Sequence, residues 1–127
     1  MNTKSIRLSK SDFKFLNEHF EKAIMSEYNK TRLRTEIKNA VIYSDHELPN
    51  DVISLNRETT IISTENGKEF NFTLVKPSEA NMAQNKVSIF APISIALIGY
   101  QTGDLINWEM PDGIKEFKII DVKSVIY

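Results

Sequence analysis

The sequence predicts an α+β fold, in which a short antiparallel helical hairpin of the coiled-coil type precedes an antiparallel sheet wrapped around one short helix. The apolar period is the first observation behind this prediction. Apolar residues recur every three or four positions between residues 13 and 41 and every second position in several later segments, which are the periods of helices and strands. The charge is the second. Residues 1–43 carry nine basic and five acidic side chains, whereas residues 44–127 carry seven and twelve.

Four apolar residues at heptad spacing predict the first helix: Phe13, Leu16, Phe20 and Ala23. This spacing places them on one helix face. Ser9 is a suitable amino-terminal cap because a serine hydroxyl accepts a hydrogen bond from the helix's first backbone N–H groups. Asp12, three residues on, takes the position of the capping-box acid.

A second apolar stripe predicts the second helix, with these members: Leu33, Ile37, Ala40 and Val41. The weak helix formers of residues 25–31 predict the turn between the helices, with Asn29 or Thr31 as the next cap. Each arm of 12–14 residues would be about 20 Å long and unstable alone. Residues 43–50, which contain Ser44-Asp45 and Pro49-Asn50, are predicted to be a linker.

Strands are predicted from residue 52 onward, beginning with Val52, Ile53 and Leu55 and then the β-branched run over residues 59–62. Asn66-Gly67 predicts a two-residue hairpin turn with positive φ at both positions. After this turn, three apolar residues alternate with polar ones as in a half-buried strand: Phe70, Phe72 and Leu74.

Alternation over residues 87–91 predicts the next strand, and Pro92 suits the first turn of a helix over residues 93–98. Gly99 is expected to end that helix. A further strand is predicted from three apolar residues: Ile106, Trp108 and Met110. Pro111-Asp112-Gly113 then forms a turn, and residues 117–122 return as the last strand.

Composition excludes several classes of function. The formal charge of −1 is too small for a protein that binds DNA by counter-ion release alone. The chain has no cysteine and only two histidines, which excludes disulfides, thiol chemistry and a metal site with several imidazoles. No apolar run approaches the ~20 residues of a membrane span, and the amino terminus is charged, so we expect a cytoplasmic protein with no membrane partner.

Candidate catalytic residues are few. His19 and His46 lie beside no nucleophile motif, and the four glycines stand at separate turns rather than in one phosphate-binding loop. Asp45, Glu47 and Asp51 could form a magnesium cluster, but a solvated linker is the more economical interpretation. We therefore expect no catalytic residue, no metal, no cofactor and no small-molecule substrate. The residues alone favour a protein-binding module that presents a short helical finger.

The order of motifs in residues 47–127 resembles the carboxy-terminal domain of the bacterial transcript-cleavage factors GreA and GreB. Residues 87–99 resemble the pattern S-I-x-S-P-x-x-x-A-L-I-G, and they are followed by Gly103-Asp104 and by Pro111-Asp112-Gly113. Upstream, Val75 and Glu79-Ala80-Asn81 resemble the V-x-x-x-E-A-D/N segment. Residues 47–56 are similar to the Rnk branch, in which a short helical hairpin replaces the long coiled coil.

The resemblance implies a helical hairpin over residues 1–46 and an FKBP-like domain over residues 47–127. It also implies a transcription elongation factor that regulates transcription by binding RNA polymerase at the rim of its secondary channel, and that meets nucleic acid only through the elongation complex. The family's docking segments match these residues: Asn81, Phe90, Ala91, Pro92 and Ile93. Ala91 stands where the family usually has serine.

At the predicted hairpin tip only Glu27 is a clear acid, where the cleavage factors use a pair to help hold magnesium. One carboxylate on arms of about 20 Å predicts docking without transcript cleavage and competition with longer factors. Two alternatives stay open. One is a prolyl isomerase, for which aromatic side chains would line a proline pocket, although strand alternation places them more naturally in the core: Phe70, Phe72, Trp108 and Phe117. The other is an adaptor that binds a protein other than polymerase.

Overall fold

The computed structural model describes residues 5–124 and has the α+β class that the sequence predicts. In chain order the helices and strands are β1 (Arg7–Ser9), α1 (Lys10–His19), α2 (Glu27–Lys38), β2 (Val41–Tyr43), β3 (Arg57–Ser63), β4 (Glu69–Val75), β5 (Lys86–Ser88), α3 (Pro92–Leu97), β6 (Leu105–Met110) and β7 (Gly113–Ser124). Two short 3-10 turns, Pro77–Glu79 and Met82–Gln84, precede β5, and a third, Phe20–Lys22, extends α1.

The start of α1 is as predicted. The Ser9 hydroxyl accepts a hydrogen bond from the backbone N–H of Asp12 at 3.0 Å, which satisfies one of the free donors of the first turn. Asp45, weighed above as a magnesium ligand, also caps this end, because its carboxylate accepts from the backbone N–H and the hydroxyl of Ser11. These hydrogen bonds hold the pKa of Asp45 below its usual range.

The turn between the helices lies earlier in the chain than the predicted residues 25–31. The residues connecting the 3-10 extension of α1 to α2 are 23–26, and α2 begins at Glu27. Ser26 is the cap in place of Asn29 or Thr31, since its hydroxyl accepts from the backbone N–H of Asn29 at 3.2 Å. At its other end α2 stops at Lys38, so Ala40 and Val41 lie beyond the helix.

The main sheet has five strands in the order β5-β4-β3-β7-β6. All neighbours are antiparallel except β4 and β5, which are parallel. The prediction of a purely antiparallel sheet is therefore wrong at β5. That strand also ends at Ser88, short of the predicted residue 91, and residues 52–55 contribute one isolated bridge from Val52 to Gln101 rather than a strand.

The hairpin turn between β3 and β4 has a different geometry from the predicted one. The connection spans residues 64–68 and is not the predicted two-residue turn, and of Asn66 and Gly67 only Gly67 has positive φ, at 73°. The backbone N–H of Gly67 donates to the carbonyl of Ser63 at 2.8 Å, and the backbone N–H of Lys68 donates to the side-chain oxygen of Asn66 at 2.9 Å. The asparagine thus closes the turn with its side chain, and only the glycine adopts the left-handed conformation.

The amino-terminal helices share one hydrophobic core with the main sheet. Buried side chains of the amino-terminal part, including Leu8, Leu16 and Leu33, belong to one core cluster with residues of the sheet and α3 such as Leu74 and Ile95. An unpredicted second sheet lies within the amino-terminal part, where β1 pairs in parallel with β2. β1 in turn donates from the N–H of Arg7 to the carbonyl of Gly99, just after α3, at 2.9 Å.

No helix within residues 5–124 is long and apolar enough to cross a membrane. α1 has ten residues and α2 has twelve, so their lengths are about 15 and 18 Å at 1.5 Å per residue. The arms are thus as short as the sequence suggests. The amino-terminal end of α2 lies close to β6, which forms one edge of the main sheet.

Candidate functional site

A tight turn over residues 89–91 precedes α3, and the turn and the first two residues of α3 together hold four of the five predicted docking residues. We refer to residues 89–93 as the α3 entry loop. The carbonyl of Ser88 fixes the loop, since it accepts from the backbone N–H of Ala91 at 3.0 Å and from the hydroxyl of Ser94 at 2.7 Å. Ser94 is fully buried, so the loop is anchored from inside the core.

The anchoring leaves Phe90 and Pro92 at the surface. Phe90 is 48% exposed, and its ring also contacts α1, with centroids 5.3 Å from Phe15 and 5.0 Å from His19. Pro92 is exposed in the first turn of α3, where its missing N–H costs no hydrogen bond. Ala91 and Ile93 are half-buried, and Ala91 offers no side-chain cap to α3.

Asn81, the fifth predicted residue, lies elsewhere. It is exposed before β5, where its side-chain oxygen accepts from the backbone N–H of Ala83 at 3.1 Å and its backbone bridges to Lys86. The α3 entry loop follows the opposite end of β5. The structure therefore brings Phe90, Ala91, Pro92 and Ile93 together and leaves Asn81 at a separate position.

The first turn of α2 is tied to the edge of the sheet by one side chain. Asn29 is buried, and its amide donates to the carbonyl of Glu109 at 3.1 Å and accepts from the N–H of Glu109 at 2.8 Å. The amide thus satisfies the edge of β6 as a neighbouring strand would. Glu27, the predicted tip acid, is exposed in the first turn of α2, two residues away.

A second contact fixes α2 against the sheet. The Arg32 guanidinium lies 5.6 Å from the ring centroid of Tyr100 and 5.5 Å from that of Trp108, both within cation–π range. It also donates to the Tyr100 hydroxyl, which donates in turn to Glu36 at 3.0 Å. Burial raises the pKa of Tyr100 above its usual range, so this hydroxyl stays a donor at physiological pH.

Between the end of the hairpin and the end of β6 lies an open cleft of about 540 Å³. Most of its lining is apolar, from these residues: Ile24, Met25, Pro92, Trp108, Met110 and Pro111. Ser26, Asn29 and Glu109 complete it. Pro92 belongs to both the cleft and the α3 entry loop, so the two features form one continuous surface.

The aromatic residues considered for a proline pocket do not line this cleft together. Phe70 and Phe117 contact each other edge to face, with centroids 6.3 Å apart, and Phe70 is 39% exposed, contrary to the expectation that strand alternation puts it in the core. Phe72 is buried, and so is Trp108, over which the Arg32 guanidinium lies. Of the four, Trp108 contributes to the cleft.

Sequence reasoning did not identify Asn29 and Ile24 as parts of this surface. Asn29 was assigned a capping role because asparagine favours helix starts, and its true partner lies 80 residues away in the chain. Ile24 interrupts no recognisable motif. Its signal is a large apolar side chain directly before the segment of weak helix formers, and the structure shows it 90% exposed.

Replacing Asn29 with alanine should lower the free energy of unfolding by about 1–3 kcal/mol, since it leaves the edge groups of Glu109 without their partner. Urea denaturation measures this. Asn17→Ala is the matched control, because Asn17 is exposed on α1 and both changes replace asparagine with a better helix former. Equal stability of the two variants would show that the Asn29–Glu109 pair does not fix the hairpin.

Residues 48–124 match the family model described as "Transcription elongation factor, GreA/GreB, C-term". Among curated proteins, the chain is 30% identical over 92 residues to transcription elongation factor GreA of Clostridium botulinum (strain Eklund 17B / Type B) and 34% identical over 92 residues to that of Clostridium acetobutylicum. Each match covers 72% of this chain and 58% of the relative. The chain thus aligns with less than two thirds of the length of these relatives.

Solved structures are similar over nearly the whole chain. The prokaryotic transcription elongation factor GreA/GreB from Nitrosomonas europaea has a TM-score of 0.66 and 28% identity, with 95% of this chain and 99% of that one covered. Thermus aquaticus Gfh1 has a TM-score of 0.55 and 20% identity, with 96% and 100% covered. The second likeness concerns the fold alone.

Proposed function

Because the chain belongs to the GreA/GreB family of transcription elongation factors, we propose that it is a transcription regulator that binds RNA polymerase. One observation carries the proposal most directly. The family match over residues 48–124 includes the α3 entry loop, and in that loop Phe90 and Pro92 are solvent-exposed on an anchored turn. An exposed aromatic beside an exposed proline is suited to protein recognition.

We further propose that the chain consists of an FKBP-like domain and a short helical hairpin, as in the Rnk branch. It docks at the rim of the secondary channel of the polymerase, and it does not stimulate transcript cleavage. Support comes from the hairpin. Its helices are about 15 and 18 Å long, and Asn29 ties its end to β6. Glu27 is the one acid at that end, and a single carboxylate is a weak magnesium ligand. The protein would act by occupying the site, without catalysing a reaction itself.

A direct binding measurement with purified core RNA polymerase tests the proposal. The full chain should bind saturably, and a GreA-type factor should compete with it for one site. In a stalled elongation complex the chain should produce no shortened transcript and should suppress cleavage stimulated by a competing factor. Absence of binding would refute the proposed partner, and shortened transcripts with the chain alone would refute the no-cleavage part.

Glu27→Ala should change the affinity for core polymerase less than about twofold, because a solvent-exposed charge outside a buried interface contributes little. It should also leave suppression of factor-stimulated cleavage unchanged. Titration of polymerase with the labelled variant measures the first quantity, and a transcript gel measures the second. Loss of suppression with unaltered affinity would mean that the carboxylate acts at the polymerase active centre.

A further inference from the structure

We infer that the cleft beside Pro92 is the seat for one apolar side chain of RNA polymerase that has a basic neighbour, so that the hairpin end forms part of the docking surface. This inference rests on the proposed function. It assigns a role to residues 24–26, which the α3 entry loop alone does not include. The connection between the two short helices would then contact the polymerase together with the α3 entry loop.

Exposed apolar residues converge on the cleft from three separate segments. Ile24 is 90% exposed in the connection between the helices, Met110 is 39% exposed at the end of β6, and Pro92 is exposed at the start of α3. Single exposed hydrophobics are ordinary, but a cluster of them around one concavity marks an interaction site. The volume of about 540 Å³ leaves room for a large apolar side chain.

The charges of the cleft indicate what accompanies that side chain. Among the lining residues Glu109 is the one that carries a charge. The nearby strand β7 carries Lys115, but this side chain already forms ion pairs with Glu65 at 3.1 Å and Asp112 at 3.3 Å. An arginine or lysine next to the apolar side chain of the partner would meet a carboxylate at the wall of the cleft.

The walls of the cleft are held in place before any partner binds. The Asn29–Glu109 pair sets the distance between α2 and β6, and stacking of Arg32 on Trp108 fixes the orientation of the helix. Within this frame Met25 and Met110 supply flexible thioether side chains, which adapt to the shape of an inserted group. A preformed apolar cavity with adaptable walls reduces the ordering cost of binding.

The test compares Ile24→Glu with Leu105→Glu in binding of the full chain to purified core polymerase. Leu105 is 56% exposed on β6 and does not line the cleft, so the control introduces the same charge on another exposed, large apolar residue. We expect Ile24→Glu to raise the Kd at least about tenfold, and Leu105→Glu less than about twofold. Ile24→Val should retain binding within about threefold.

Glu109→Gln tests the charge separately, because the backbone of Glu109, and not its side chain, holds Asn29. We expect Kd to rise about threefold at low salt, with a smaller salt dependence than the parent chain. Unchanged binding of Ile24→Glu beside a binding parent overturns the inference and leaves the proposed function intact. A parent that does not bind overturns both. If sedimentation shows a dimer of the parent that Ile24→Glu dissociates, the cleft joins two copies of the chain and the inference is also wrong.

Discussion

The Pro92→Asp variant should bind core RNA polymerase much more weakly than the parent chain. Pro92 is exposed where the α3 entry loop meets the cleft, so a carboxylate there would be buried at the centre of the proposed interface. It would have no partner, because the basic group that we infer in the polymerase already pairs with Glu109. An unpaired charge in such a position costs several kcal/mol, which amounts to a rise in Kd of about a hundredfold or more. Fluorescence anisotropy with the labelled chain measures the affinity.

The same substitution should leave the fold unchanged, which makes the binding result interpretable. Aspartate is favourable in the first turn of a helix because its charge complements the unsatisfied N–H groups, and Pro92 donates no hydrogen bond that could be lost. Pro77→Asp is the matched control, since Pro77 is also an exposed proline at a helix start, in the 3-10 turn before β5. Equal losses at the two positions would show that position 92 has no special role.

Local signals in the sequence were sufficient wherever neighbouring residues decide the structure. The Ser9 cap of α1, the strand over residues 57–63 and the helix that starts at Pro92 all follow from side chains a few positions apart. The α3 entry loop was identified by its resemblance to the family's docking segments and not by local signals. Alternation predicts a strand through residue 91, whereas β5 ends at Ser88 and residues 89–91 form a turn.

Long-range contacts decided the features that were not predicted. Ser26, Asn29 and Thr31 are all suitable caps for α2. With Ser26 as the cap, Asn29 lies in the first turn of the helix, where its side chain contacts Glu109, 80 positions later in the chain. The parallel pairing of β4 and β5 depends on how residues 76–85 return along the sheet edge, for which alternation gives no direction. The cleft combines three distant segments, so no window of sequence contains it.

Gly99→Ala should destabilise the protein by about 3–5 kcal/mol, the largest effect on folding that we expect of a single methyl group. Gly99 has a φ of +95°, which is costly for alanine, and an added Cβ would lie 2.8 Å from Cδ2 of Leu8 and 3.1 Å from Cβ of Ile6. Both neighbours are fully buried, so a shift of either side chain would disturb the packing of the core. Because the carbonyl of Gly99 accepts from Arg7, any shift of the backbone would also loosen β1.

Gly103→Ala separates the two causes of this loss. Gly103 has the same φ of +95°, but an added Cβ would meet no atom within 4 Å. Its substitution should therefore cost only the backbone strain, about 1–3 kcal/mol, and the difference between the two variants in urea denaturation isolates the clash with Ile6 and Leu8. Since those side chains belong to β1 and the residue before it, a larger loss at Gly99 means that close packing of the amino-terminal segment on the end of α3 stabilises the whole fold. Equal losses would mean that backbone conformation alone accounts for the glycine, and that the segment can separate from the sheet at little cost.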